Sequence, residues 1–334
     1  MMDERGEFLS EAIEHISNSV DPRVRDWYSE EQLVTNLRSS FAEELQRVDN
    51  LEFATGFAGV CPVDGAEPND YRNVFVPFNA GVAFLGIRFK GLDVTKPFVD
   101  VIATSAPLTT KAEVGELRDI ACHTYSVFQP YAVRFTNFTT RAAEAFEGLG
   151  YWEKKYVAGD IQTMRTLPKP ENLDLVKLRG AADIGFFDEY ARVYEALLRQ
   201  HPQHVEYATS DDRDDFEFYL SEGMIFEIFI EGRWAGLVAG YRDIDACLAG
   251  FRIAENVLSE EFRSRGFGRG VQWRLAEALD PEIGVIFGTI HRENIGAYHA
   301  AVRSGRIDIG GFCWVETSLE DPFQRIKPRS AART

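Results

Sequence analysis

The stretch from Ser259 to Leu279, "SEEFRSRGFGRGVQWRLAEAL", constrains the fold of this chain more than any other. "LAGFRIAENVLSEE" feeds into it as a strand, and "GRGVQWRLAEALD" leaves it with the apolar spacing of a helix, stopped at Pro281. Between the two, Arg263, Arg265 and Arg269 surround Gly266, Gly268 and Gly270. A helix that begins at such a turn offers unbonded backbone N–H groups and the positive end of its dipole. Glycines let the backbone approach a ligand without a Cβ in the way, and arginines add charge-assisted bonds. These residues therefore describe an anion site at a strand-to-helix turn. On the short pattern alone, a solvated basic turn ahead of a surface helix is the competing reading.

The elements around the turn narrow the choice. "LDLVKLRG" reads as a strand, and "DIGFFDEYARVYEALLRQHP" and "DDRDDFEFYLSEG" as helices. "MIFEIFIEGRWAGLVAGYRDID" reads as two strands joined at Glu231-Gly232. After the turn and its helix, "EIGVIFGTI" is an apolar strand, "NIGAYHAAVRSG" a helix capped by Asn294 and ended near Gly305, and "DIGGFCWVET" a last strand. The order is strand, two helices, three strands, the glycine–arginine turn, then helix, strand, helix, strand.

This order resembles the Gcn5-related N-acetyltransferase (GNAT) family from about Leu173 to about Thr317. That family's Q/R-x-x-G-x-G/A pattern is met by Arg263, Gly266 and Gly268, with Val257 and Leu258 ending the strand before it. Its N-x-x-A signature is met by Asn294 and Ala297, and Gly305 matches the glycine that closes the following helix, with Arg306 where an aromatic usually stands. A fainter copy lies in "AVRFTNFTTRAAEAFEGLGYWEKKY", where Gly150-Tyr151 falls on Gly305-Arg306, Ala142 on Ala297 and Thr139 on Asn294. Apolar strands in "NAGVAFLGIRF" and "FVDVIATS" and a helix near "KAEVGELRDIACHTYSVF" precede it, and "EFLSEAIEHISNSV" and "EQLVTNLRSSFAEELQRV" read as further helices of that half. The resemblance thus implies an α/β (α+β) chain of two tandem GNAT-like domains, each a mostly antiparallel mixed sheet flanked by helices. A degenerate one is expected over residues 1–167 and an acyl-CoA-binding one over 173–334. The polar "RTLPKPENLD" between them reads as a linker.

The implied co-substrate is a coenzyme A thioester, most simply acetyl-CoA, with its pyrophosphate held by Arg263, Ser264, Arg265, Gly266, Phe267, Gly268, Arg269 and Gly270. Val257, Leu258 and Asn294 complete the expected binding set. The corresponding turn of the first half, "TSAPLTTKAEVG", holds Pro107 and no glycine before Gly115, so Thr109 and Thr110 are expected to cap a helix there. The reaction implied is acyl transfer to the amine of a small molecule by direct attack in a ternary complex. The family's tyrosine acid, seven residues after Asn294, is Ala301 here. Tyr298, one turn earlier, either substitutes or packs against the sheet. Glu255, next to apolar Ile253 and Val257 and sharing their face by strand alternation, is either a base with a raised pKa or a structural carboxylate. His291, where the next strand opens, is a proton-shuttle candidate. His15, His123, His201 and His204 carry no motif and read as structural or surface residues.

Composition excludes other classes. A net charge of −17 speaks against general binding to nucleic acid or anionic membrane. No apolar run approaches the roughly 20 residues of a membrane span. Four scattered cysteines, with no metal-ligand spacing, suit a reduced cytoplasmic protein, and the acidic beginning shows no export signal. A homodimer is compatible with these features. Two alternatives stay open: a CoA-binding sensor or interaction protein without catalysis, and a tandem aminoacyltransferase, against which the acidic charge and the intact phosphate turn both argue.

Overall fold

The computed structural model describes residues 2–138, 143–202 and 209–317. Thr139, Ala142 and His204 lie outside them. The helices are α1 (Met2–Ser19), α2 (Pro22–Arg25), α3 (Glu30–Gln46), α4 (Leu51–Val60), α5 (Lys111–Thr124), α6 (Ala143–Phe146), α7 (Ile161–Thr166), α8 (Phe187–Gln200), α9 (Arg213–Ser221), α10 (Phe267–Ala278) and α11 (Ile295–Arg303). The strands are β1 (Val74–Phe78), β2 (Gly81–Phe89), β3 (Pro97–Thr104), β4 (Ala132–Asn137), β5 (Gly150–Asp160), β6 (Val176–Gly180), β7 (Ile225–Ile230), β8 (Arg233–Asp245), β9 (Leu248–Leu258), β10 (Val285–His291) and β11 (Ile307–Glu316). Among the described residues, no helix is long and apolar enough to cross a membrane.

The chain divides into two compact units that interleave along the sequence. One takes Met1–Ser19, Arg38–Glu153 and Phe312–Thr334; the other takes Val20–Leu37 and Lys154–Gly311. A single cut between 167 and 173 is not where this division falls. Strands β5 and β11 and helix α3 each pass from one unit to the other. The expected linker is also tied down within the second unit. Ile161 and Met164 of α7 are buried there, the Arg165 side chain donates to the Ala276 and Leu279 carbonyls (2.8 and 2.9 Å), and Arg269 donates to the Pro168 carbonyl (2.9 Å). The helix expected over "EQLVTNLRSSFAEELQRV" forms as α3, but its first turns belong to the second unit, where Asn36 donates to the Cys247 carbonyl (3.2 Å).

In the first unit, β1-β2-β3-β4 are successive neighbours, antiparallel except for the parallel pair β3–β4. The core under α5 gathers Leu85, Ile87, Val99, Val101, Val114, Leu117, Phe135 and Phe146, together with Cys313 and Val315 from β11. Helix α1 buries Phe8, Ala12, Ile13 and Ile16, a stripe of helical spacing.

In the second unit the elements follow the expected order. Strands β6-β7-β8-β9 are antiparallel, β9 and β10 parallel, and β10 pairs antiparallel with β5 from Val285↔Asp160 to His291↔Lys154. The β7–β8 turn has positive φ at both central residues, Glu231 (54°) and Gly232 (80°), as a two-residue hairpin requires. One face of this sheet packs on α10 through Val271, Leu275, Phe251 and Ile286; the other packs on α8 and α9 through Tyr190, Phe216, Leu237 and Val257.

Candidate active site

Strand β9 pairs with β8 along its length, but among the described residues its ladder with β10 is limited to Phe251↔Ile286 and Arg252↔Phe287. Ile253 still lies against Gly288, and past it the ladder between the two parallel strands does not continue. The β8–β9 register shifts between Ala239↔Glu255 and Gly240↔Ile253, which leaves Ala254 as an extra residue. This bulge re-aims the side chains after it. Phe251 and Ile253 lie with the α10 core, whereas Val257 lies with the α8–α9 core. Glu255 therefore shares a face with Val257 and not with Ile253, contrary to strict alternation. Ser259 donates its N–H to the Ala235 carbonyl (2.7 Å). By backbone alternation the N–H of Leu258 turns the other way, toward the side that β10 has left.

The glycine–arginine turn follows directly. Ser264 (φ 58°) and Gly266 (φ 80°) are left-handed, and Gly266 is the N-cap of α10 with no side-chain bond to the helix. The first N–H groups of α10 are thus left for another acceptor. Arg263 folds back, its Nε donating to the Leu258 carbonyl (2.6 Å). Arg265 donates to the Glu261 carbonyl (3.2 Å) and lies over the Phe267 ring (5.3 Å). The other glycines serve packing. A Cβ on Gly268 would stand 3.1 Å from the Ala300 Cβ of α11, and one on Gly270 3.2 Å from Val176 Cγ2 of β6. Gly268 and Gly270 hold α10 close to its neighbours, and only Gly266 answers to the conformation of the turn itself. Gly266→Ala should destabilise the protein by about 1–2 kcal/mol through its left-handed φ, read in urea unfolding; a variant as stable as wild type would show that the turn relaxes.

Glu255 is 5% exposed and accepts both bonds of a fork from the Tyr194 hydroxyl, at 3.0 Å to Oε1 and 2.8 Å to Oε2. Burial, reinforced by the negative charge of Asp211, pushes its pKa up to about 8. Burial also raises Asp211, whose Oδ2 accepts from the Tyr219 hydroxyl (2.9 Å) while its N–H donates to the Tyr190 hydroxyl (2.8 Å). Sequence reasoning missed these tyrosines. The available signal was Tyr190 and Tyr194 at i, i+4 on one face of α8, just before the acidic "DDRDD".

The other candidates sit elsewhere. The Tyr298 hydroxyl donates to Asp308 Oδ2 (3.3 Å), which also holds Lys155 Nζ (2.6 Å); burial and Asp308 raise its pKa. Tyr298 and Glu255 thus belong to separate carboxylate networks. His291 closes β10, its Nδ1 accepting from the Glu293 N–H (3.2 Å). Asn294 is the N-cap of α11, its side chain accepting from the Ala297 N–H (3.2 Å). Val257 is a core residue. Cys313 is buried, and burial pushes its thiol up to about 12, far from a nucleophile. No group of side chains among the described residues has the makings of a metal site.

In the first unit, the N-terminus of α5 is closed by its own residues. Thr110 accepts from the Glu113 N–H (3.2 Å), and Glu113 accepts from the Thr109 and Thr110 N–H groups (2.8 and 3.0 Å). The Thr109, Thr110 and Glu113 N–H groups there are satisfied by the chain's own side chains.

What decides the fold is the pair β9 and β10, parallel at their start, parting where an uncapped helix follows from the first. In its second unit this is the arrangement that the resemblance to the Gcn5-related N-acetyltransferase family implies. Solved structures similar to it include a GNAT-family acetyltransferase from Colwellia psychrerythraea, at 10% identity over 86% of this chain and 97% of that one, with a TM-score of 0.49. A GCN5-related N-acetyltransferase from Sphaerobacter thermophilus is 13% identical over 81% and 94%, with a TM-score of 0.46. A tandem GNAT protein from the clavulanic acid biosynthesis pathway is 12% identical over 82% and 98%, with a TM-score of 0.40. No family model matches the chain, and no curated protein matches it.

Against the GNAT pattern, two positions depart. Ala301, in place of the tyrosine acid, is buried. Arg306, in place of an aromatic, is 3% exposed; it donates to the Val157 carbonyl from Nη2 (2.7 Å) and Nε (3.3 Å), and to Gln272 Oε1 from Nη1 (3.1 Å). No ion pair holds it among the described residues, and burial lowers its pKa to about 10.

Proposed function

We propose that the second unit binds acetyl-CoA and transfers its acetyl group to the amine of a small molecule, by direct attack in a ternary complex. One observation carries this reading: the uncapped N-terminus of α10 opens beside the free edge of β9, so an anion cradle and a chain of backbone donors adjoin. The amides of Phe267, Gly268 and Arg269, with Arg265, would hold the pyrophosphate. The thioester supplies an activated acyl group. The Leu258 N–H polarises its carbonyl. Glu255, whose pKa of about 8 lies near working pH, accepts the proton of the attacking amine directly or through water. Direct attack needs no enzyme nucleophile, which agrees with the inert Cys313. Ala301 in place of the tyrosine acid favours, as a second reading, a CoA-binding protein without turnover; release of CoA from acetyl-CoA with a panel of amines separates the two.

Titration calorimetry should give one acetyl-CoA per chain, because the first unit's turn is filled by Glu113. Arg265→Glu, at a half-exposed side chain, should weaken binding about tenfold or more at low salt without unfolding the protein. Two equivalent sites, or unchanged affinity in the variant, would refute the cradle.

A further inference from the structure

Of the three arginines around the glycine turn, two follow it toward α10. Arg265 is half-exposed over the Phe267 ring, and Arg269 reaches the Pro168 carbonyl. Arg263 goes back up the chain. A short turn at Glu260–Phe262 reverses the backbone after β9; the Phe262 N–H donates to the Ser259 carbonyl (3.0 Å) and the Arg263 N–H to the Glu260 carbonyl (3.1 Å). Phe262 is buried in the α10 core and anchors this turn. Arg263 Nε thereby meets the Leu258 carbonyl at 2.6 Å. The β8–β9 register says which edge this is. Ser259 bonds to Ala235, so in the next pair, Gly236↔Leu258, the N–H and C=O of Leu258 both point away from β8. The Leu258–Ser259 peptide is thus held from two sides, by Arg263 at its oxygen and by Ala235 at its nitrogen.

We propose that Arg263 is a positioning residue of the acyl-transfer site, an inference that rests on the acetyl-CoA reading above: its Nε–H ties down the Leu258 carbonyl and so keeps the Leu258 N–H, on the same edge, aimed at the thioester carbonyl. The bond is what serves, and the charge is a burden. Burial lowers the pKa of Arg263, and the negative charge of Glu260 offsets this only in part. The Q/R alternative in the turn's pattern has the same explanation. Arginine Nε and glutamine Nε2 stand the same number of bonds from Cα, so either residue places an N–H on the Leu258 oxygen. Lysine puts a methylene at that point and methionine a methyl. Arg263 therefore works at the acyl end of the site, where the sequence pattern implied the pyrophosphate.

Arg263→Gln, Arg263→Lys and Arg263→Met test it in the full-length chain, with acetyl-CoA and CoA as probes. In wild-type protein carrying ¹⁵N-leucine, acetyl-CoA should move the Leu258 amide proton downfield, and CoA, which lacks the carbonyl, should not. Arg263→Gln should keep that shift, and the lysine and methionine variants should lose at least half of it. Calorimetry should show those two binding acetyl-CoA about fivefold more weakly, the worth of one hydrogen bond, with CoA within about twofold of wild type in all three. The proposal is overturned if lysine keeps the shift and glutamine loses it, if methionine keeps it in full, or if CoA affinity falls tenfold in glutamine and methionine but holds in lysine, the pattern of a charge on the pyrophosphate. Should the methionine variant fail to fold, glutamine against lysine decides. A wild-type chain that binds no acetyl-CoA overturns the acyl-transfer reading and this proposal with it, whereas a wild type that binds and shifts while lysine outdoes glutamine overturns this proposal alone.

Discussion

Glu255→Gln is expected to lower kcat by about 10²–10⁴ and yet to make the protein more stable at alkaline pH. Both effects come from the same burial. In the folded chain Glu255 holds its proton up to about pH 8, whereas in the unfolded chain it releases it near pH 4.3. Between those values the native state binds more protons than the unfolded state, so stability falls as pH rises through the window. The loss levels off above pH 8 and amounts to about 5 kcal/mol at most. Glutamine cannot ionise, so the variant should lack this decline and melt higher than wild type at pH 9. Its affinity for acetyl-CoA should stay near that of wild type, because the proposed cradle at Arg265–Arg269 is elsewhere. The wild-type rate should rise with an inflection near pH 8 that the variant lacks. Full activity in the variant would make Glu255 a structural carboxylate held by Tyr194. An unchanged melting difference between pH 5 and pH 9 would mean the carboxyl is not protonated in the fold.

Arg306→Ala should cost about 3 kcal/mol or more in unfolding free energy. The loss has two sources. The Val157 carbonyl and Gln272 Oε1 would be left buried without their donor, and the space of a long side chain would empty next to Gly159, where a Cβ would come within 2.9 Å of the Arg306 Cγ. Arg306→Met should fall between alanine and wild type, or match wild type, because it refills the volume and removes a buried charge that has no ion pair among the described residues. Urea unfolding of the three proteins tests this. An alanine variant within about 0.5 kcal/mol of wild type, the range of a surface substitution, would show that the arginine site collapses without cost.

Much of this fold is written in local sequence. The positive-φ pair Glu231-Gly232, the helix stop at Pro281 and the Asn294 cap each state their role within a few residues. The order of elements in the second unit follows from such signals. The Thr110 cap of α5 was legible for the same reason. What was not legible depends on partners distant in the chain. The bulge at Ala254 exists only in register with β8, so alternation along β9 alone puts Glu255 on the wrong face. Gly268 and Gly270 read as phosphate glycines until Ala300 and Val176 are seen beside them. "RTLPKPENLD" has the composition of a linker, but bonds from Arg165 and Arg269 fix it in place. Helix α4, with two glycines in an apolar run, carries neither the periodicity nor the charge pattern of a surface helix, so its sequence gives no sign of it. The candidate residues of the turn and of β9 could be named from local sequence; Tyr194 and Tyr190, which come to Glu255 and Asp211 from α8, could not.

The passage of β11 into the first unit has a consequence for synthesis. Cys313 and Val315 are part of that unit's core, and Trp314 packs on Phe98 with ring centroids 4.6 Å apart. On the ribosome, the segment up to Glu153 emerges long before these residues exist. Its apolar surfaces must wait, incomplete, while the next 150 or so residues are made, at a cost of roughly 8–30 seconds at ordinary elongation rates. The unit that is translated first is therefore the one that can be finished only last, and a nascent chain stalled before Phe312 would be an obvious client for a holding chaperone.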